Sequence, residues 1–214
     1  MKNSLIILFC SISFALFSQK KVDKKFKTQL KEIEISTIGL DDFVLENSTS
    51  GFIEIHLFAE NIEEQHIVFI EEYNTVKIEF KIPKFQHEEV VFRKFITERL
   101  NRANAIIKIP QNRNITIFGD EINIESNSYK GDLNIFIEKG ILKLHKIFSN
   151  LEVKMYAGNL YVITEEASIN VVSKTGKIMI NDTLVEKKYQ HKEETEHQKI
   201  NISSLKANIF LTTQ

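Results

Sequence analysis

The densest set of groups able to hold a metal or move a proton lies in residues 190–197, QHKEETEH. His191 and His197 there flank Glu193, Glu194 and Glu196. Imidazole and carboxylate are donors that zinc accepts, but their spacing matches no recognised ligand set. A run so dense in charge reads better as a solvated loop. Glu165 and Glu166 are adjacent carboxylates. Acid–base work on a sugar needs carboxyls that converge in a groove, and two neighbours on a corner read as solvated. His56 alternates with apolar neighbours in FIEIHLF and reads as a structural residue. The chain contains no HExxH, no GxSxG and no phosphate-binding glycine loop. Its one cysteine, Cys10, lies in an apolar leader, so the remainder offers neither a thiol nucleophile nor a thiolate site. These residues point away from an enzyme, and no cofactor and no metal is expected.

What the chain does carry is a beat. From residue 131, six consecutive lines of nine read GDLNIFIEK, GILKLHKIF, SNLEVKMYA, GNLYVITEE, ASINVVSKT and GKIMINDTL. Their first column is small: Gly131, Gly140, Ser149, Gly158, Ala167, Gly176. The third and fifth columns are aliphatic, from Leu133 and Ile135 to Ile178 and Ile180. A fixed short period marks a repeat architecture. Columns two apart on a strand share a face. The mostly polar fourth column, Asn134, Lys143, Glu152, Tyr161, Asn170 and Met179, therefore faces out. Serine and alanine among the glycines mean that lack of bulk, not positive φ, is what every corner requires.

Two arrangements fit. In a β-solenoid, two nine-residue passes make a flattened coil of 18 residues, and strands stack in parallel. In an antiparallel meander, hairpins would join them, and such hairpins favour the Asn-Gly and Asp-Gly turns that are absent from these lines. The solenoid is the better reading. Calcium-binding rolls share the period but need regular Gly and Asp in their turns. Asp132 and Asp182 are the only aspartates in the six lines. If alternate lines lie on opposite faces, Tyr161, Ile163 and Met179 share one face with Lys143 and His145. That stripe is a candidate contact surface, but covering by the N-terminal strands is the favoured expectation.

Strand-like alternation also precedes the beat, in EIEI, DFVLE, FIEIHLF and TVKIEFKIP. Residues 87–104 read as a largely extended loop with a short helix. The expected organisation is a leader at 1–18, an N-terminal β region at 19–105, and a solenoid at 106–214 with a charged excursion near 185–197. After that excursion the beat returns in QKINISSLK and ANIFLTTQ.

Lys2 and the short apolar run from Leu5 to Phe17 form a secretory signal pattern, with cleavage expected between Ser18 and Gln19. Phe9 before Cys10 argues against lipidation. The 28 Lys and Arg against 29 Asp and Glu give a net charge of −1, and losing Lys2 takes it to −2. No strong field for nucleic acid or anionic lipid results. No later apolar run is long enough to span a bilayer, so an exported chain without a membrane segment is expected.

IIKIP with Ile107, Ile109 and Pro110, then NITIFGD, the strand lines with Gly131, Gly140, Gly158 and Gly176 at their corners, and the closing NIFLTT resemble the adhesin-like β-solenoid domains of bacterial cell-envelope proteins. These are of the auto-transporter adhesin head-domain type, and the resemblance covers about residues 30–214. It implies an all-β, exported protein with a structural or adhesive role, toward a protein or glycan at the cell envelope, and it brings no catalytic residues. A periplasmic sensor or accessory protein in envelope signalling is the first alternative. A carbohydrate-active enzyme is the second.

Overall fold

A computed structural model describes residues 20–59, 62–82, 103–165, 167–193 and 198–213. The leader, most of the 87–104 stretch, Glu166 and residues 194–197 lie outside them.

The described chain is all-β, and its seventeen strands join one large mixed sheet. They are β1 (Lys20–Phe26), β2 (Glu32–Ser36), β3 (Asp42–Asn47), β4 (Ile53–Ala59), β5 (Ile67–Glu72), β6 (Thr75–Phe80), β7 (Asn104–Ile109), β8 (Asn114–Glu121), β9 (Asn123–Ser126), β10 (Leu133–Ile147), β11 (Leu151–Thr164), β12 (Ser168–Ser173), β13 (Ile178–Ile180), β14 (Thr183–Val185), β15 (Lys188–His191), β16 (Lys199–Ser204) and β17 (Asn208–Thr213). One three-residue 3₁₀ turn, Glu64–His66, interrupts them.

Two ladders run through this sheet. The first pairs β5, β6, β2, β8, the front half of β10, the front half of β11, β16, β12 and β15, in that order. The second pairs β1, β4, β7, β3, β9, the rear half of β10, the rear half of β11, β17, β13 and β14. Each strand pair such as β8 and β9 gives one tier across both ladders, and β10 and β11 cross from one to the other without a break. Inside the array the pairing is parallel, in the register that the beat sets: Leu133 opposes Leu151, and Leu142 opposes Leu160. The antiparallel pairs gather at the two ends, where β1, β4 and β5 close one end and β14 and β15 the other.

The third and fifth columns supply the core. Leu133, Ile135, Leu142, Leu144, Leu151, Val153, Leu160 and Val162 are all buried, and residues from both ladders form one apolar cluster. The beat also starts earlier than the six lines. Ile115 opposes Leu133 and Ile124 opposes Leu142, again 18 residues apart. One fifth-column position departs from the rule: Ser126 is buried between Leu45 and Leu144, and its hydroxyl has no partner among the described residues.

Chain order and spatial order differ at two tiers. The β2–β3 tier lies between β6–β7 and β8–β9. The final tier, β16–β17, lies between β11 and β12–β13. Lines 167–175 and 176–184 therefore do not stack on their sequence neighbours. The returning beat after the excursion marks an inserted tier, not an added end.

The corners explain the first column. A Cβ on Gly140 would overlap the backbone of Ile122, one on Gly158 that of Gly140, and one on Gly176 that of Ala207. Each of these three glycines rests on the corner of the next tier. Only Gly158, with φ +125°, and Gly140 combine this crowding with positive φ; Gly131 and Gly176 do not. Corners without glycine use other means. Gln198 opens its line at a buried corner, and its side-chain amide donates to the Ile147 carbonyl at 3.2 Å.

The second column adds a side-chain ladder. Asn123 Nδ2 donates to Asp42 at 3.1 Å, and the Asn123 oxygen accepts from Ile141 N–H at 3.1 Å. On the other corner the Asn150 amide groups donate to Asp132, and its oxygen accepts from Lys199 N–H. Asparagine serves here because one side chain both donates and accepts along the stack.

Candidate functional site

β10 and β11 place Lys143 and Tyr161 side by side on the outward face of the second ladder. The predicted neighbour Met179 is not next. Phe210 of β17 stands between them, opposite Tyr161 on one side and Met179 on the other. Leu184 of β14 follows Met179. The row thus reads Glu125, Lys143, Tyr161, Phe210, Met179, Leu184. Ile163 lies two residues along β11 from Tyr161, on the same face, opposite Thr212. The structure therefore gathers all four residues expected from the sequence, and it adds Phe210 and Leu184, which sequence reasoning missed.

Alternation drives the rows. With Leu160, Val162, Ile209 and Leu211 buried inside, Tyr161 and Phe210 have no choice but to point out. Their rings stack at 4.8 Å between centroids and 9° between planes. Offset stacking of this kind stabilises a pair by about 0.5–1.5 kcal/mol beyond its area. Tyr161 remains 41% exposed and Leu184 65%. The N-terminal strands do not cover the row: β1 and β4 pair beyond β7, at the opposite end of the ladder. The stripe runs out to β14, a three-residue strand at the ladder's edge.

Of the groups first considered for chemistry, those among the described residues do not converge on one site. His191 pairs with Glu193 at 2.8 Å and His145 with Glu125 at 2.9 Å, both exposed. Glu165 pairs with Lys146. His56 Nδ1 lies 2.6 Å from Asp23, across the β1–β4 pair. Burial raises the Asp23 carboxyl, but hydrogen bonds to His56 and Lys21 outweigh it and hold the group below its usual range. Tyr129, buried, donates to the Pro110 carbonyl at 3.0 Å, and burial pushes its phenol up. Among the described residues no three His, Cys, Asp or Glu side chains gather as metal ligands. Nor is any helix there long and apolar enough to cross a membrane.

The first ladder carries a second cluster that the sequence reading passed over. Phe118, Phe136 and Lys154 follow one another in register, and Ser203 stands beside Lys154. Phe118 and Phe136 stack at 5.7 Å, and Lys154 Nζ lies 5.2 Å from the Phe136 ring centre. Lys154 also pairs with Glu152 at 2.6 Å. Two residues along β11, Tyr156 is 49% exposed, with Lys206 Nζ 5.1 Å from its ring centre. Phe136, Lys154, Tyr156 and Ser203 line an open depression of about 600 Å³ that also touches Glu138, Lys174 and Leu205.

No family model matches the chain, and no curated protein is similar to it in sequence. Solved structures are similar. A candidate cell adhesion protein from Clostridium sporogenes is 11% identical, and the match spans 92% of this chain and all of that one at a TM-score of 0.59. A candidate adhesin from Bacteroides fragilis is 12% identical over 92% of this chain and 98% of that one, but at a TM-score of 0.39. The Clostridium sporogenes likeness shows a shared overall fold.

Proposed function

We propose that the protein is an exported, non-enzymatic, adhesin-like component of a bacterial cell envelope. Its chain winds as a flattened β-solenoid of about 18 residues per turn. It holds its partner, a protein or a glycan, on the outward row of the second ladder. The observation that carries this reading is that row: Tyr161, Phe210, Met179 and Leu184 in consecutive register, with Ile163 beside them and Lys143 at its end. An exposed contiguous apolar stripe on a soluble surface marks a contact site. The parallel tiers and their register support the winding. The fold shared with the Clostridium sporogenes protein supports the adhesin-like role.

The test is binding of the mature chain to fractionated envelope. Tyr161→Ser with Met179→Ser, with circular dichroism unchanged, is expected to abolish retention. Unchanged retention removes the row as the contact surface. Hydrolysis or lysis of any member of a glycan panel overturns the non-enzymatic reading. Recovery of the native protein in the cytoplasmic fraction overturns export.

A further inference from the structure

The geometry points to a second, independent site on the first ladder: we propose that the depression beside Tyr156 binds an acidic polysaccharide, a chain of uronic acid sugars. Tyr156 presents an exposed ring at its rim, and Ser203 presents a hydroxyl opposite Lys154. Lys154 is already neutralised by Glu152. Lys174 and Lys206, by contrast, have no carboxylate partner among the described residues, and Lys206 rests over the Tyr156 ring instead. The Lys174 N–H donates to Ser204 and the Lys206 N–H to Tyr156, so the backbones of both cations are fixed to the tiers that form the depression.

That arrangement selects among anions. An acidic peptide that adds to a sheet as a further strand needs a free strand edge. No edge is free here, because β11 and β16 each have a partner on both sides. The ligand must therefore be held by side chains alone. A nucleic acid demands a dense run of cations to replace its counterions, whereas Glu138 and the Lys154–Glu152 pair dilute the charge in this hollow. A uronate chain fits both limits. The C–H face of a sugar ring packs on an aromatic ring, each unit brings one carboxylate, and its hydroxyls suit a serine. A carboxylate that draws Lys206 off Tyr156 also frees the ring face for stacking.

The experiment compares retention of the mature protein on immobilised polygalacturonate, neutral galactan and polyglutamate, with circular dichroism on every variant. Retention on polygalacturonate alone is expected, weakening with salt. Tyr156→Ala should weaken it about tenfold, the size of one aromatic contact. Lys174→Gln with Lys206→Gln should weaken it and flatten its salt dependence. Tyr161→Ser on the other ladder should leave it unchanged, which separates this site from the proposed envelope contact. No retention of the parent protein on polygalacturonate overturns the proposal. So does equal retention on polyglutamate or galactan, or full retention by both folded variants.

Discussion

Adding one methyl group at a corner should cost more than most core truncations of similar size. In Gly158→Ala the new Cβ would lie 3.0 Å from both the carbonyl carbon and the nitrogen of Gly140, and closer still to its oxygen. The obstacle is backbone, so no rotamer change relieves it. Forcing extra volume into a packed site costs about 1–3 kcal/mol. The residue also holds φ at +125°, and positive φ costs an ordinary L-residue about 1–2 kcal/mol. Together these give about 2–5 kcal/mol, and in a chain of this length a Tm lower by about 5–15 °C. Gly51 is the control. It is exposed, nothing lies within 4 Å of its added Cβ, and its φ is not positive. Gly51→Ala should be neutral, or stabilising by about 0.4–1 kcal/mol through the unfolded chain. Thermal melts followed by far-ultraviolet circular dichroism read both. A Gly158→Ala melt within about 2 °C of the parent, less than 1 kcal/mol here, would refute the claim that tier-on-tier corner contact is what keeps the first column small.

Leu151→Asp should prevent folding, since it places a carboxylate in the core, whereas Glu152→Lys, on the outward face beside it, should fold and lose only its exposed pair with Lys154; equal melts of the two would sink the assigned faces. Ser126→Ala should raise Tm by about 2–4 °C, because it removes a buried hydroxyl whose lack of a partner costs on the order of 1 kcal/mol; a lower Tm would show that the hydroxyl is satisfied. Asp23 sits below its ordinary 3.8 through the balance described above, and Glu54 below its ordinary 4.5 through Ser50 first and then Lys25. Depressed carboxyls stabilise fully above their unfolded values, and that contribution disappears as pH falls through the lower folded ones. Asp23→Asn with Glu54→Gln should therefore shrink the loss of Tm between pH 6 and pH 3. An unchanged loss would show that the acid sensitivity arises elsewhere.

The aliphatic columns made the inward faces and the 18-residue register legible, because alternation along a strand leaves Leu133 and Ile135 only one side to share. Three features escaped. The second column was readable as Asn114, Asn123, Asp132, Asn150 and Asn159, an amide ladder that looks like turn composition until the tiers are stacked. The sixth and eighth columns hold Phe118, Phe136, Lys154, Tyr156 and Lys174, but attention to the fourth column alone hid the first ladder's cluster. The position of β16–β17 was not legible at all. Every tier offers the same apolar pair to its neighbours, so Leu160 accepts Ile209 as readily as it would accept Ile178. Order along the stack is decided by corners and connections, not by the columns.

That last placement has a consequence for how the protein is made. The final sixteen described residues wedge between two segments that left the ribosome before them, and the first tier is likewise gripped by segments made after it. Neither the β2–β3 tier nor the β16–β17 tier can dock on a finished surface. Domains ordinarily consolidate from the front as synthesis proceeds; here β11 and β12–β13 cannot close over their gap until β16 and β17 arrive. A chain without residues 198–213 would be left with an open slot in its interior, between β11 and β12–β13, instead of a shorter stack.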